Sequence, residues 1–282
     1  GAVAAWLSDA TAAEAAYGHI STWETGGVTD MSELFCVSDY CDYRNGGASS
    51  FNDDISAWNT TSVTTMRSMF REASAFDQPI GGWRVNKVRD MEKMFRDASS
   101  FNNNIGAWKT FLVTNMMDMF EFAVAFNQPI GDWSVGAVTN MRDMFEEASN
   151  FNQDISGWSV EGVEDMEQMF YRASAFDQDL GWCVDNDVSL SEAFEDALCE
   201  STSCGVTQGN CPTPAPTPAA SPSLAPTPVP TLVPSSAPTS LPTAVPSFAP
   251  TSTLASPDSS SAKSYSFSVS YTHLRAHETE SN

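Results

Sequence analysis

The stretch FNDDISAWNTTSVTTMRSMFREA, residues 51–73, returns 100 residues later as FNQDISGWSVEGVEDMEQMFYRA, residues 151–173. Between these two copies the same pattern recurs every 25 residues without a slip. The recurring aromatic positions are Phe51, Phe76, Phe101, Phe126, Phe151 and Phe176, together with Trp58, Trp83, Trp108, Trp133 and Trp158. A fixed period of about 20–50 residues is typical of proteins built from stacked units, so the repeat decides the fold.

Each unit carries two different spacings of apolar residues. Trp58 and Thr60 lie two residues apart, as in a β-strand, whereas Met66, Met69 and Phe70 are spaced by three and four, as on one face of a helix. Neither segment can bury its apolar face alone, so the units must stack. Because a period of 25 lies in the range of leucine-rich repeats, the sequence predicts an α/β repeat. This is a leucine-rich-repeat-like solenoid with one parallel strand and one short helix per unit, capped at both ends and followed by a disordered tail.

The repeat pattern and the composition divide the chain into parts. We expect the solenoid to span residues 1–211, with an N-terminal cap helix at 1–19, the repeats at 20–182, and the last unit with a cysteine-rich cap at 183–211. Fourteen of the 16 prolines follow within residues 212–268, interleaved with Ser, Thr and Ala. This composition cannot form a core and indicates a linker or a polyproline-II stalk. An O-glycosylated stalk and an unmodified disordered linker are both consistent with it.

The last residues break with the rest of the sequence. Residues 269–279, VSYTHLRAHET, resemble one translated reading frame of a sequencing-library adapter. We therefore expect residues 269–282 to be a non-native tail that takes no part in the fold.

Charge excludes two classes of partner. The chain has 36 acidic and 13 basic residues, a formal charge of −23, and residues 1–211 hold 33 of these acids and 11 of these bases. Nucleic acids and anionic membranes both require clustered cations, so neither is expected as a partner. No apolar run approaches the roughly 18 residues of a membrane span, and we expect no direct membrane insertion. The solenoid is expected to be monomeric.

Six cysteines lie at the two ends of the repeat region, as expected for an oxidised protein. Cys36 and Cys41 are predicted to form one disulfide. Two more are predicted among Cys183, Cys199, Cys204 and Cys211, with three pairings open. A zinc site at Cys199 and Cys204 is the less favoured alternative, because no histidine or CxxC motif accompanies the pair.

The units at residues 51–73 and 151–173 resemble the BspA-like leucine-rich repeat surface proteins, in the 25-residue type common in mycoplasmas, other bacteria and protists. The resemblance covers about residues 1–199 and rests on five undisturbed units. It implies a secreted or surface-attached solenoid used in adhesion or protein interaction, located outside the cell or at its surface. It implies no catalytic residues. The cysteine-bearing insertion after Phe35 and the cysteine-rich cap depart from the family pattern.

A row of variable residues is the candidate binding surface. In each predicted strand the residue after Trp points outward, between two inward side chains. This outward row consists of Asn59, Arg84, Lys109, Ser134 and Ser159, with Glu24 and Cys183 at its ends. Varied chemistry on one face of a solenoid is typical of partner recognition, and an unselected solvated surface is the equal alternative. Asn59 also begins the N-glycosylation sequon Asn59–Thr60–Thr61, so a glycan is predicted there.

Catalytic and metal sites are not expected. His19 is the one histidine outside the suspected adapter tail and is interpreted as a surface or cap residue. Acidic residues recur after each unit's first Phe, as at Asp53 and Asp54, but Pro79 and Pro129 interrupt the series, which argues against stacked calcium sites. The neighbouring Asn and Asp side chains, such as Asn52, are predicted to cap turns. No cofactor is predicted.

The leading hypothesis is therefore a non-catalytic, secreted or cell-surface binding or adhesion module. Its partner would be a protein or a carbohydrate on a cell surface or in the extracellular matrix, recognised through the outward row. One alternative is a structural or ice- or mineral-surface-binding protein, although the outward row is chemically irregular. Another is a targeting module of a larger enzyme.

Overall fold

A computed structural model describes residues 1–209 and 211 of the chain. The predicted stalk at 212–268 and tail at 269–282 lie outside the described residues. The elements in chain order are α1 (Ala2–Ser8), α2 (Ala10–Tyr17), three short 3-10 helices (Ile20–Thr22, Gly46–Ser50 and Ile80–Gly82), β1 (Cys183–Val184) and β2 (Thr207–Gln208). Between the ends, the 25-residue units stack on one another around a single continuous core.

Columns of identical side chains form that core. Equivalent phenylalanines of successive units stack nearly parallel, as Phe76 and Phe101 do with ring centroids 6.0 Å apart. A second phenylalanine column lies against the first, with the ring centroids of Phe95 and Phe101 only 4.0 Å apart. The tryptophan, valine and methionine columns are also buried. The inward positions predicted from the period are thus confirmed.

The Met–x–x–Met–Phe segment is a series of tight turns, and the predicted helix is wrong. Within one unit Met69 N donates to Met66 O (3.2 Å), whereas Ser68 N donates to Glu92 O of the next unit (2.8 Å). Ser68 and Glu72 have positive φ, 52° and 61°, which an α-helix excludes. Alternate N–H groups therefore bond within the unit and to the next unit, which satisfies the backbone without a helix.

The predicted parallel strand at Trp58–Thr60 is also wrong, because this segment pairs into no sheet. Parallel bridges between units lie later in each unit, one residue per unit, as between Thr65 and Asp90 and between Asp90 and Asn115. At the tryptophan segment, side chains make the links instead. Trp58 Nε1 donates to Ile20 O (2.9 Å), and the Thr60 hydroxyl bonds to both the N–H and the carbonyl of Arg84 (2.8 and 3.2 Å).

A ladder of Asn and Asp side chains runs along the first turn of the units. The Asn102 Oδ1 accepts the backbone N–H of Asn127 (2.9 Å), and the Asp77 Oδ1 accepts that of Asn102 (2.9 Å). Gln128 Nε2 donates to the same Asn102 oxygen (2.9 Å). The predicted turn-capping role of these side chains is confirmed, and each cap joins two units.

The N-terminal cap consists of two helices instead of the single predicted helix. Asp9, with extended backbone, ends α1 and caps α2 by accepting the N–H of Ala12 (3.0 Å). Trp6 of α1 is buried, packs edge-to-face on Trp23 (6.0 Å) and donates to Asp53 (2.6 Å). The indole thus closes the apolar end of the first unit.

Disulfides reinforce both ends. Cys36 pairs with Cys41 as predicted, and the four C-terminal cysteines pair as Cys183–Cys211 and Cys199–Cys204. Because Cys199 and Cys204 form a disulfide, the alternative of a zinc site at these two residues is wrong. Strands β1 and β2 pair in parallel beside the Cys183–Cys211 bridge and cover the last unit. Disulfides indicate an extracytoplasmic protein, and none of the helices in the described residues is long and apolar enough to cross a membrane.

Candidate functional site

The residues of the outward row are all exposed. Asn59, Arg84, Lys109, Ser134 and Ser159 each stand between a buried Trp and a buried Thr or Val. The alternation arises although the segment forms no sheet, because the indole and the β-branched residue are both anchored in the core. Of the two ends, Glu24 is exposed and Cys183 is half-buried in its disulfide.

Two shallow depressions open on the outward row. One, of about 470 Å³, is lined by both cations of the row, Arg84 and Lys109. The other, of about 440 Å³, is lined by Ser134, Ser159 and the half-exposed Phe111. The geometry therefore divides the row into a basic half and a neutral half that includes an aromatic ring.

Two glycines leave the surface beside Arg84 and Lys109 without side chains. A Cβ on Gly81 would lie 2.3 Å from Asn104 O of the next unit, and one on Gly106 would lie 2.3 Å from Pro129 O. Since Cβ atoms do not approach an oxygen so closely, a larger residue at Gly81 or Gly106 would require the facing carbonyl to shift. The long side chains of Arg84 and Lys109 consequently rise beside a surface with little relief.

Four cations near the outward row have no ion pair within the described residues. Arg84, Lys87, Arg89 and Lys109, here called the basic patch, are exposed and belong to two successive units. The other seven cations of residues 1–211 all contact carboxylates, at Arg44, Arg67, Arg71, Lys93, Arg96, Arg142 and Arg172. The basic patch is therefore a local exception in an acidic molecule.

The paired cations belong to the turn segments. In the ion-pair cluster formed by Lys93, Arg96, Asp118, Glu121 and Asp143, the two cations of one unit face carboxylates of the next. Lys93 Nζ lies 2.9 Å from Asp118 Oδ2, Arg96 Nη1 lies 3.4 Å from Asp118 Oδ1, and Arg96 also contacts Glu121. Asp118 is only 2% exposed and Glu121 only 4%. These charges are part of the stack's interior.

Burial changes the titration of this cluster. Desolvation, reinforced by the neighbouring Asp118, raises the pKa of Glu121 to about 9, against the attraction of Arg96. Desolvation and Asp118 likewise raise the pKa of Asp143 to about 6. Glu121 is thus an acidic residue inside the stack and not part of a solvated surface. Glu121 follows Arg71 and Arg96 at 25-residue steps, and this change of charge between Arg96 and Glu121 is the signal that indicates pairing.

The predicted glycosylation site is accessible. Asn59 is exposed, and its Oδ1 accepts hydrogen bonds from the Thr61 N–H (3.1 Å) and hydroxyl (2.7 Å). A glycan at Asn59 would stand one unit before Arg84, at the edge of the basic half. Modification of Asn59 stays a prediction.

His19 lies at the N-terminal cap, as an exposed residue. Its Nδ1 lies 2.8 Å from the Ser21 hydroxyl, and its ring packs edge-to-face on Trp6. Among the described residues, no group of three or more His, Cys, Asp or Glu side chains could hold a metal ion. Lys87, Arg89 and Phe111 are not predicted from the sequence as site residues. Their place beside the outward row follows from their exposure and, for the two cations, from the lack of ion pairs in the described residues.

Comparison with known proteins identifies a family. No curated protein and no solved structure matches the chain. One family matches twice, over residues 6–120 and 103–204, and its description is "Mycoplasma protein of unknown function, DUF285". The two matches together cover most of the chain and nearly all of the stacked units. The chain therefore belongs to the DUF285 family of Mycoplasma proteins of unknown function.

Proposed function

We propose that the chain is a non-catalytic, secreted or cell-surface binding module that recognises a protein or glycan partner through the outward row. The observation that carries the proposal is the contrast between invariant buried columns and the varied exposed row beside them. Trp and Val or Thr repeat in each unit, whereas the intervening positions are Asn, Arg, Lys, Ser and Ser. A stack that maintains its core while varying one exposed row has the architecture of a recognition surface.

Two further observations support the proposal. The three disulfides indicate an extracytoplasmic location, where surface binding is a common role of repeat proteins. The units also resemble the BspA-like surface proteins, for which adhesion is the implied role. We therefore propose partner binding or adhesion, the role implied by the resemblance to leucine-rich repeat proteins. The units differ from the predicted repeat in one respect, because the Met–x–x–Met–Phe segment contains turns in place of a helix.

The experiment measures capture of the full chain by arrays of extracellular proteins and glycans. A blocking variant, Ser134→Tyr with Ser159→Tyr, fills the neutral half of the row with bulk at two exposed positions. Ser100→Tyr is the matched control, since Ser100 is exposed but lies away from the row in its unit. We expect the blocking variant to lose array binding and the control to retain it. Equal binding by both variants would contradict the use of this face.

A further inference from the structure

We propose that the basic patch binds an anionic polysaccharide that carries one carboxylate per sugar, a polyuronate. This inference rests on the proposed function and assigns its ligand class. It starts from Arg84, Lys87, Arg89 and Lys109, which are exposed, belong to two successive units and have no carboxylate within ion-pair distance in the described residues.

The absence of pairing is informative because acids are abundant. Residues 1–211 hold three times as many carboxylates as cations, yet no carboxylate oxygen of the described residues lies within 4.0 Å of a side-chain nitrogen of the basic patch. Arg84 and Lys109 occupy equivalent positions of adjacent units, where like charges repel each other. An anionic ligand would remove this repulsion, and guanidinium groups such as that of Arg84 bind carboxylates in a bidentate manner.

The repeat geometry favours charges spaced along a chain. The indoles that flank the outward row stack 6.2–6.5 Å apart between successive units, so the row repeats at a regular step comparable to one sugar residue. A polyuronate that runs along the stack can place one carboxylate beside Arg84 and another beside Lys109. The shallow, glycine-floored depression between these side chains has room for a flat sugar ring.

Phe111 adds an apolar contact beside the cations. It is 50% exposed, follows Lys109 by two residues and lines the neighbouring depression with Trp133. A pyranose ring has an apolar C–H face that packs on an aromatic ring, whereas an unstructured acidic peptide has no such face. The combination of cations with an exposed ring favours a sugar polymer over an acidic protein.

The surroundings of the basic patch limit the charge density of the ligand. The patch spans only two units, and exposed carboxylates follow on both sides, at Glu24 before it and at Asp132 and Glu161 after it. A densely charged polymer such as a sulfated glycan or DNA would place excess charge against these carboxylates. A polyuronate has fewer charges per length, so it suffers less repulsion outside the patch.

The test measures binding of the full chain to immobilised polygalacturonate in low-salt buffer. We expect the double variant Arg84→Gln/Lys109→Gln to bind roughly tenfold more weakly or worse, and added salt to weaken wild-type binding. Arg67→Gln/Arg172→Gln is the matched control, because it removes two partly exposed cations from the turn segments. We expect this control to bind like wild type. Thermal unfolding of each variant checks that the fold is retained.

Three outcomes would overturn the inference. They are wild-type binding no stronger than to neutral dextran, equal weakening by both double variants, and tighter binding to heparin or DNA than to polygalacturonate. The proposed function is tested separately by Ser134→Tyr/Ser159→Tyr on the arrays. If that variant loses a partner while polygalacturonate fails to bind, the binding module stands and only its ligand class is wrong.

Discussion

The ion-pair cluster and the basic patch use cations in opposite ways. In the cluster, Lys93 and Arg96 are partly buried and face Asp118 and Glu121 of the next unit. In the basic patch, the cations of the same two units are exposed and unpaired within the described part of the chain. The same repeat therefore places charge inside the stack at one segment and leaves it free at another.

This difference follows from the hydrogen bonds that the backbone of each segment forms. The turn segments bond to the next unit at alternate residues, so side chains there are held against their neighbours. At the outward row, Trp and Thr or Val anchor the chain, and the side chains of Arg84 and Lys109 between them form no hydrogen bond or ion pair with the described residues. Substitutions in the cluster should change stability, whereas substitutions in the basic patch should change binding.

The largest effect is expected for Arg96→Ala. It leaves the buried Asp118 carboxylate with Lys93 as its one remaining cation and removes the guanidinium beside Glu121, and breaking a buried pair is costly. We expect the free energy of unfolding to fall by about 2–4 kcal/mol in chemical denaturation. Arg96→Lys, which preserves the charge, should lose less. A loss below about 0.5 kcal/mol, as is usual for surface changes, would contradict a structural role for the cluster.

The second effect depends on pH and concerns Glu121→Gln. Because the folded pKa of about 9 lies above the ordinary 4.5, the folded state retains a proton that the unfolded state releases. The stability contributed by this proton is complete below about pH 4.5 and is lost as the pH rises through about 9. Gln cannot ionise, so we expect the variant to be more stable than wild type by about 1–2 kcal/mol at pH 9. Near pH 4 the two should unfold alike, and a pH-independent difference would refute this origin.

A smaller loss is expected for Asn102→Ala in the side-chain ladder. The change removes the acceptor of the Asn127 N–H and of Gln128 Nε2, at a cost of about 1 kcal/mol. Asn102→Asp is the matched control, since Asp77 fills the equivalent position and accepts the next N–H in the same way. Denaturation midpoints should rank wild type and Asn102→Asp above Asn102→Ala. The reverse order would show that the ladder adds no stability.

The smallest effect on stability is expected for Arg84→Gln/Lys109→Gln. Neither side chain forms an ion pair within the described residues, so the free energy of unfolding should change by less than about 0.5 kcal/mol. The measurement is the same denaturation experiment as for Arg96→Ala. A loss comparable to that of Arg96→Ala would remove the contrast between the two regions.

The buried columns could be predicted from the sequence, but the backbone that carries them could not. The period identified Trp58, Met66 and Phe70 as core residues, because burial of a repeated apolar side chain does not depend on the local backbone. The spacing of three and four also suits turns with i to i+3 hydrogen bonds, and no glycine marks the positive φ of Ser68 or Glu72. For this reason the sequence favoured a helix.

The candidate site was predictable only in part. Exposure of Arg84 and Lys109 followed from their position between inward residues. Their lack of ion pairs, and the presence of Lys87 and Arg89 beside them, depend on which carboxylates the neighbouring units bring close. Comparison of residues 25 apart would have indicated the pairing of Arg96 with Glu121, but no periodic signal marks a cation that is left without a partner.

Acylation of the lysine amines tests the central contrast most directly. The full chain is labelled without mutation or ligand, and mass spectrometry follows Lys87, Lys93 and Lys109. Burial lowers the pKa of Lys93, but hydrogen bonds to Glu92 and Asp118 outweigh this and raise the pKa above its ordinary value. We expect the exposed Lys87 and Lys109 to be acylated readily and Lys93, which is partly buried and ion-paired, to react several times more slowly. Equal rates at the three lysines, or slow labelling at Lys109, would contradict the division between paired and free cations.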